Sequence, residues 1–453
     1  MTLSRRIFLR NGTIALAALG SGSAPEPWFL ARAAAAAGAA GKPAGRKVLV
    51  CVFQRGAADG LSMVAPFGDP HYYALRQEIA VPAPKAGDGK GNDATTALDL
   101  DGYFGLHPRL DALMPLWNRG ELAVVHACGS PSGSRSHFDM QDFMEAGVAD
   151  DKSVPGGWAN RLLAANRPAA KPSPFRAVAM GGNVPRTLQG DVDALAIRDL
   201  STFGLRDEAA ATPRLAAAGN GGASAPGPRA MASGATGFEG LYASAVDETL
   251  GHTGKESFDA IAMLKKADPA QYKPAGGAKY PGTALGRSLL QVAQLVKADL
   301  GVEVAFVEDE GWDTHANQGG AVGQLAGKLM DFGRALAAFD ADLGDRMADV
   351  TVLTMSEFGR AVRQNGNRGT DHGHGTCFLA FGGGVRGGKV YADWPTLDPD
   401  RLFEDRDLAV TTDFRDVFGE VCARHLGLDP ARLGKVFPKH AADPAKFRGF
   451  MRA

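Results

Sequence analysis

The sequence predicts an α/β protein, a three-layer α/β/α sandwich around a mostly parallel central sheet. Five short runs are rich in β-branched and other apolar residues, which is typical of buried strands. These runs are almost continuously apolar, as expected for parallel strands covered on both faces. Stretches with helical periodicity lie between them, and this alternation favours helices on both sides of one sheet. The strands are predicted at residues 47–53, 121–128, 302–309, 349–358 and 376–383.

Three helical segments each precede a predicted strand. Residues 106–120 carry leucines at 106, 110, 113 and 116, and residues 284–301 and 322–344 show similar periodicity. One stretch interrupts this pattern: residues 209–237 consist almost entirely of small residues, proline and glycine. Such a composition favours a flexible segment. We therefore predict one main domain over residues 47–453 with a flexible insertion around residues 209–283.

The N-terminus has the residue pattern of an export signal. In MTLSRRIFLRNGTIALAALG, paired arginines at 5 and 6 precede a short apolar run, and Ala31-Arg32-Ala33 fits an A-x-A cleavage site. This pattern predicts a twin-arginine signal peptide over residues 1–33. The apolar run is too short and too rich in alanine to span a bilayer. The sequence thus predicts delivery by the twin-arginine translocase to a periplasmic or extracellular location, with no transmembrane segment in the mature protein.

Composition and charge argue against several classes of protein. The 453 residues carry a formal net charge of −1 and no basic stripe, which argues against nucleic acid as the main partner. The four cysteines form no C-x-x-C motif, so neither a zinc knuckle nor a thioredoxin-like site is indicated. Cys51, Cys128 and Cys377 stand in apolar runs and are predicted to be small core residues.

Potential metal ligands follow several predicted strands. Asp59 comes after the first strand, Asp313 and His315 come after the third, and Glu357 ends the fourth. Open α/β sheets bind ligands beyond the carboxyl ends of their strands, so these side chains are expected near one edge. A mixture of carboxylates and imidazoles suits zinc, manganese or iron. We therefore predict a site for a divalent metal at that edge.

The stretch GTDHGHGTC, at residues 369–377, adds further candidate ligands. Asp371, His372 and His374 precede the fifth predicted strand, and they can join the other ligands if their loop folds over the sheet edge. Glycines at 373 and 375 would let the backbone turn sharply enough to aim the rings inward. The alternative is that the two histidines only hydrogen-bond the backbone of their own loop.

The segment SRSHFD follows the second strand and supplies a candidate nucleophile. Ser136 stands three residues before Asp139 at the start of a helical pattern, which is a capping-box arrangement. The same position places a hydroxyl beside free N–H groups that can hold an anion, and Arg135 carries a charge suited to phosphate or sulfate. Ser136, or Ser134 beside it, is therefore either a helix cap or a nucleophile that attacks an anionic ester.

Several motifs together resemble one bacterial family, catalogued as domain of unknown function 1501, whose members carry twin-arginine signals. The motifs are RGAADGLSMVAPFGDPHYYALR, GLHPRL, SRSHFDMQDFMEAG, GWDTHANQ, LTMSEFGRAVRQNG and GTDHGHG, and the resemblance runs from about residue 47 to about residue 426. The family in turn resembles the alkaline phosphatase and sulfatase superfamily. That likeness implies an alkaline phosphatase-like fold with a metal site at the strand ends.

Within this resemblance, Asp59 is similar to the metal aspartate after the first strand, and Ser136 or Ser134 to the nucleophile. Asp313 and His315 resemble a second ligand group, and His372 or His374 the late histidine. LTMSEFG departs from the pattern, because Glu357-Phe358 stands where the superfamily has Asp-His.

The function expected from these features is an exported metal-dependent hydrolase of small-molecule or glycan phosphate or sulfate esters. The alternative is a non-catalytic exported protein of the same fold that binds an anionic glycan or a co-exported partner. Whether the protein is an enzyme is left open by the loss of one superfamily imidazole at Phe358.

Overall fold

Twelve strands form the β-structure of the computed structural model, which describes residues 46–85, 95–167, 172–200, 271–441 and 443–452 together with Met263. In chain order they are β1 (Val48–Gln54), β2 (Val64–Ala65), β3 (Leu98–Asp99), β4 (Gly105–Leu106), β5 (Leu122–Gly129), β6 (Ala177–Met180), β7 (Leu195–Ile197), β8 (Val304–Asp309), β9 (Val350–Met355), β10 (Thr376–Gly382), β11 (Lys389–Tyr391) and β12 (Thr412–Asp413).

Nine α-helices lie within the same residues. They are α1 (Gly60–Met63), α2 (Tyr72–Leu75), α3 (Met114–Asn118), α4 (His137–Ala146), α5 (Trp158–Ala165), α6 (Ala284–Lys297), α7 (Gln324–Leu343), α8 (Phe414–Arg424) and α9 (Leu433–Val436). Short 3-10 helices cover Pro108–Leu113, Arg186–Leu188, Gly344–Asp349, Pro399–Arg401, Pro430–Arg432 and Pro444–Lys446. None of the helices in the described part of the chain is both long and apolar enough to cross a membrane.

The large sheet has the strand order β11-β5-β10-β9-β1-β8-β6-β7, with β12 paired to β5. Strands β9, β1, β8, β6 and β7 pair in parallel, whereas β10 is antiparallel to both of its neighbours, β5 and β9. Strands β2, β4 and β3 form a small separate antiparallel sheet. The protein is therefore α/β with a mixed, largely parallel central sheet.

Both faces of the sheet are buried under helices. In β1, Val48, Val50 and Val52 pack into one core cluster, which includes residues of α6 and α7. The alternate residues Leu49, Cys51 and Phe53 pack into a second cluster, which includes residues of α5, α8 and α9. Because successive side chains of a strand point to opposite faces, an all-apolar strand is stable only with both faces covered. The continuous apolar runs in the sequence follow from this arrangement.

The predicted strands are confirmed with shifted ends, and short strands in both sheets were missed. The fourth strand stops at Met355, so Glu357 lies beyond its end and not within it. In the large sheet the missed strands are β6, β7 and β12, which have only two to four residues each, too few for a periodic pattern. The predicted helix over residues 106–120 is divided into a 3-10 turn and α3, with Pro115 in the first turn of α3.

Strand direction explains how the histidine loop reaches the other candidate ligands. The prediction required this loop to fold back over the sheet edge, because all five strands were taken as largely parallel. Since β10 runs antiparallel to β9, its first residue lies at the edge where β5 and β9 end; Thr376 pairs with Cys128 near the end of β5. The loop before β10 therefore begins at the correct edge.

Two predicted segments lie largely outside the described residues. These are the signal peptide at residues 1–33 and most of the insertion at residues 209–283. The described end of the insertion is held by the Asp342 carboxylate, which accepts hydrogen bonds from Tyr272, Tyr280 and the Ala275 N–H. The four cysteines are buried with free thiols, which confirms the prediction that Cys51, Cys128 and Cys377 are core residues.

Candidate metal centre

Three connections at one sheet edge bring together a cluster of three histidines and one aspartate. His137 opens α4 after β5, Asp313 and His315 follow β8, and His372 precedes β10. Ligand atoms of His137, Asp313 and His372 all lie within 4.8 Å of one another. We call the four residues His137, Asp313, His315 and His372 the histidine cluster.

The ring nitrogens of the histidine cluster are in direct contact. His137 Nε2 and His372 Nε2 are 3.0 Å apart, and His315 Nε2 is also 3.0 Å from His372 Nε2. The Oδ1 atom of Asp313 lies 3.0 Å from His315 Nε2 and 3.3 Å from His372 Nε2. The structure therefore brings together Asp313, His315 and His372, as predicted, and adds His137.

Hydrogen bonds fix the tautomers of two of these rings. His137 Nδ1 lies 2.8 Å from Glu357 Oε1, and His372 Nδ1 lies 3.0 Å from the carbonyl oxygen of Arg135. Both oxygens can only accept, so each Nδ1 donates its proton. In the neutral rings the two Nε2 atoms then carry lone pairs, and these face each other at 3.0 Å. Two facing lone pairs repel unless a cation, either a proton or a metal ion, lies between them.

Glu357 supports His137 from the protein interior. Its side chain is fully buried, and Oε1 accepts hydrogen bonds from His137, Gln141 and the Gly56 N–H, each at 2.8 Å. Burial alone would raise the pKa of Glu357, but the hydrogen bonds from His137 and Gln141 outweigh it and the pKa is lowered. The same bond to Glu357 raises the pKa of His137.

Asp313 is held in place by a buried arginine. The Arg360 guanidinium donates to Asp313 Oδ1 and to the carbonyl oxygens of Gly56, Ala57, Trp312 and Thr370. Burial would raise the pKa of the Asp313 carboxyl, but Arg360 outweighs this and lowers it. The side chains of Asp313 and His315 are each 45% exposed, so the histidine cluster is open to solvent on one side.

Asp371 lies behind His315 and faces the outer nitrogen of that ring. Its Oδ1 accepts from Asn365 Nδ2 at 3.0 Å and lies 3.6 Å from His315 Nδ1. The hydrogen bond from Asn365 is the main cause of a lowered pKa for Asp371. Asp371 and Glu357, both predicted as ligands, thus face Nδ1 atoms on the outer side of the imidazoles.

Asp59, also predicted as a ligand, belongs to a different cluster. Its two carboxylate oxygens bind Arg76 at 2.6 and 2.9 Å, and Oδ2 also accepts from Ser62 and Gln318, each at 2.7 Å. All four side chains are buried. Burial would raise the pKa of Asp59, but Arg76 outweighs this and lowers it. We call Asp59, Ser62, Arg76 and Gln318 the aspartate–arginine cluster.

His374 does not join the histidine cluster either. Its ring stacks on Phe403 with centroids 4.1 Å apart, and its pKa falls to about 4, chiefly because of burial. The glycines beside it serve a different purpose from the one predicted. A Cβ atom at Gly373 would overlap the backbone of Arg360 and Ala361, and one at Gly375 would press on Leu408 O. Close backbone packing, not a sharp turn, requires glycine there.

The serine and arginine predicted for catalysis have structural partners. Ser136 is the N-cap of α4, and its Oγ accepts from the Asp139 N–H at 3.4 Å, which confirms the capping prediction. The Ser134 Oγ accepts from the Ser136 N–H at 3.3 Å. The Arg135 guanidinium forms ion pairs with Asp407 and Glu404 and is therefore not free to bind an anion.

His137 is the member of the cluster that sequence reasoning did not select. The hydroxyl groups of SRSHFD were predicted as nucleophiles, although His137 follows the same strand end and begins the helix that Ser136 caps. The rule that assigned Asp313 and His315, a metal-ligating side chain just beyond a strand end, applies equally to His137.

The comparisons with known proteins agree with the motifs. No curated protein matches the chain. The model of a family described as "Protein of unknown function (DUF1501)" matches residues 205–437, just over half of the sequence. The matched region contains GWDTHANQ, LTMSEFGRAVRQNG and GTDHGHG, and thus three of the four residues of the histidine cluster. The chain therefore belongs to the DUF1501 family of proteins of unknown function.

Proposed function

We propose that the protein is an exported metal-dependent hydrolase that acts on phosphate or sulfate esters, with its metal centre in the histidine cluster. The proposal depends on one observation. The Nε2 atoms of His137 and His372 face each other at 3.0 Å beside the Asp313 carboxylate, while the Nδ1 atom of each ring donates a hydrogen bond elsewhere.

The residues present fit a divalent transition metal. His137, Asp313 and His372 offer two nitrogens and one oxygen within 4.8 Å, and His315 offers a third nitrogen beside them. Zinc, manganese and iron accept this mixture of imidazole and carboxylate, whereas magnesium and calcium prefer oxygen alone. The partial exposure of Asp313 and His315 leaves room for a substrate, as in catalytic sites with an open position.

A divalent ion in this site would supply Lewis-acid chemistry, polarising an ester oxygen and making water more acidic. The protein's own residues provide the geometry. Glu357 and the Arg135 carbonyl orient two imidazoles, and Arg360 fixes the Asp313 carboxylate. Since the Ser136 hydroxyl caps α4, we assign the attack on the ester to a solvent water molecule and give Ser136 a structural role.

A second candidate function is anion or partner binding without turnover. It is favoured by the ion pairs of Arg135 with Asp407 and Glu404, which leave this guanidinium without a free charge for a phosphate or sulfate group. In this case the metal would stabilise the fold and complete a binding surface.

Metal analysis followed by an ester screen distinguishes the two functions. Protein purified without chelator is expected to carry roughly one or two equivalents of a transition metal. The metal-loaded protein should hydrolyse aryl phosphates or aryl sulfates, and the His372→Ala variant should not. Metal-loaded protein that is inactive on both ester series supports binding without turnover, and protein that takes up neither zinc, manganese nor iron contradicts both.

Export by the twin-arginine pathway and an alkaline phosphatase-like arrangement are further parts of the proposal. They are supported by Arg5 and Arg6 before a short apolar run, and by candidate ligands at the ends of parallel strands. Replacing both arginines by lysine should retain the protein in the cytoplasm, because the translocase recognises the arginine pair. Wild-type levels in the periplasm would contradict the signal assignment.

A further inference from the structure

Glu357 is a fully buried carboxylate placed directly behind the histidine cluster. It lies two residues beyond the end of β9, and its Oε1 accepts from His137 Nδ1 at 2.8 Å. Its other donors are the Gly56 N–H, the Gln141 amide and the Ser356 hydroxyl, at 2.8, 2.8 and 3.1 Å. All three of these donors are neutral. A buried carboxylate normally requires a compensating positive charge. Here a cation bound at Nε2 of His137 can supply that charge through the imidazole ring.

The same contact determines which way His137 points. Because Glu357 holds the proton on Nδ1, the Nε2 lone pair is directed into the histidine cluster, towards His372 Nε2. The ring is held from the side as well, since it stacks on Phe358 with centroids 4.9 Å apart. A carboxylate that accepts from the outer nitrogen of a ligating imidazole fixes the tautomer and makes the inner nitrogen a stronger electron donor.

We infer that Glu357 is a positioning residue whose charge, acting through His137, strengthens the affinity of the histidine cluster for a divalent transition metal. This inference rests on the metal centre of the proposed function, and it deepens that proposal by assigning Glu357 a role behind the ligands. On this inference, the glutamate at position 357, where the superfamily has aspartate, supports a metal ligand from behind.

The variant Glu357→Gln isolates the charge of Glu357, because the surrounding hydrogen bonds can be retained. A glutamine carbonyl oxygen at the place of Oε1 can accept from His137, Gln141 and Gly56. The Gln141 amide is oriented for this by Arg55, which donates to Gln141 Oε1 at 3.0 Å. The new NH2 group can donate to Ser356 Oγ, whose own proton can go to the Gln54 carbonyl oxygen at 2.9 Å. Only the negative charge is lost.

The test compares zinc and cobalt(II) affinities of full-length mature protein by competition with chelators of graded strength. Glu357→Gln is expected to weaken both affinities by about 10- to 100-fold, the usual loss for a group that supports a metal ligand. The cobalt(II) absorption spectrum should shift, because His137 becomes a weaker donor. The control is Glu303→Gln, which removes a carboxylate paired with Arg176 at the other end of β8 and should leave affinity and spectrum unchanged.

Each outcome has one meaning. Wild-type affinity and an unchanged spectrum in Glu357→Gln would overturn the inference while leaving the hydrolase proposal intact. Weakened affinity in Glu357→Gln, with no ester hydrolysis by the loaded wild type, would support the inference and contradict the hydrolase. Wild-type protein that binds neither zinc nor cobalt(II) would overturn both. If Glu357→Gln unfolds on purification, Gln141→Leu, which removes one donor to Glu357 and no charge, should weaken affinity less than tenfold, and a larger loss would overturn the role of charge.

Discussion

The histidine cluster and the aspartate–arginine cluster both lie near the edge where the strands of the large sheet end, yet their electrostatics differ. Asp59 follows β1, and its charge is matched by the buried guanidinium of Arg76 at 2.6 Å. Asp313 follows β8 and is also paired with a buried arginine, Arg360, but it additionally faces imidazole nitrogens and remains 45% exposed. In the aspartate–arginine cluster the charge and hydrogen bonds of Asp59 are matched within the cluster, whereas in the histidine cluster imidazole lone pairs face one another.

This difference teaches that a carboxylate at a strand end is not in itself a metal ligand. A buried arginine with good geometry satisfies both oxygens of Asp59 and makes it part of the scaffold. The decisive feature of the histidine cluster is the direction of the imidazole lone pairs, which depends on acceptors behind each ring. Substitutions in the aspartate–arginine cluster are therefore expected to lower stability and spare metal binding. Substitutions in the histidine cluster are expected to weaken metal binding.

The largest expected effect comes from Asp59→Asn. It leaves the Arg76 guanidinium buried without its charge partner, so the free energy of unfolding should fall by about 3–5 kcal/mol. Metal content should remain at the wild-type level, because Asp59 is outside the histidine cluster. Urea denaturation and metal analysis of the same preparation check both parts. A variant of normal stability that has lost its metal would instead make Asp59 a ligand.

The matched pair His372→Ala and His374→Ala sharpens the comparison within one loop. Removing the ring at 372 deletes a nitrogen that contacts both other histidines, so zinc affinity should drop more than about 100-fold, beyond the usual loss for a supporting group. His374 stacks on Phe403 instead, so its removal should leave zinc affinity within a few-fold of wild type. Chelator competition measures both, and equal losses in the two variants would contradict the assignment.

The buried histidine His126 should make the free energy of unfolding depend on pH, and this effect can be measured in metal-free protein. Burial lowers the pKa of His126 to about 4 from 6.5, so the folded protein holds this ring neutral. The stability it contributes is present above pH 6.5 and is lost as the pH falls towards 4, because the unfolded chain takes up the proton first. In metal-free protein, His126 should account for about 2 kcal/mol of the stability lost between about pH 7 and about pH 5.

Urea unfolding of the wild type and of His126→Gln, both in excess chelator, provides the measurement. The variant should show a shallower dependence of unfolding free energy on pH, since one buried proton-binding group has been removed. Identical slopes for the two proteins would show that His126 does not titrate on unfolding in this range.

The smallest effect is expected at Ser136. Ser136→Ala should reduce the free energy of unfolding by about 0.5–2 kcal/mol through loss of the α4 cap, and Ser136→Asp should restore it. Both variants should keep their metal and their hydrolytic activity, because water is the proposed attacking group. An inactive, metal-loaded Ser136→Ala protein would return the nucleophile role to Ser136, and Ser134 would be tested next.

The sequence by itself determined the five longest strands and the edge at which the candidate site lies. The apolar runs of β1, β5, β8, β9 and β10 are long enough to be recognised, because burial on both faces demands apolar residues at every position. Asp313, His315 and His372 could be selected because each lies beside the end or start of such a strand. The cap of α4 was likewise predictable, since it depends on residues three apart in sequence.

Only the tertiary structure decided which of these residues meet. The antiparallel direction of β10 places His372 beside Asp313, and strand direction depends on pairing between segments distant in sequence. Arg76 is 17 residues from Asp59, and Arg360 is 47 residues from Asp313, so neither ion pair has a local signal. The choice of His137 over Ser136, and of His372 over His374, was made by the direction in which each side chain points. That direction is set by long-range packing, which a linear pattern of residues does not contain.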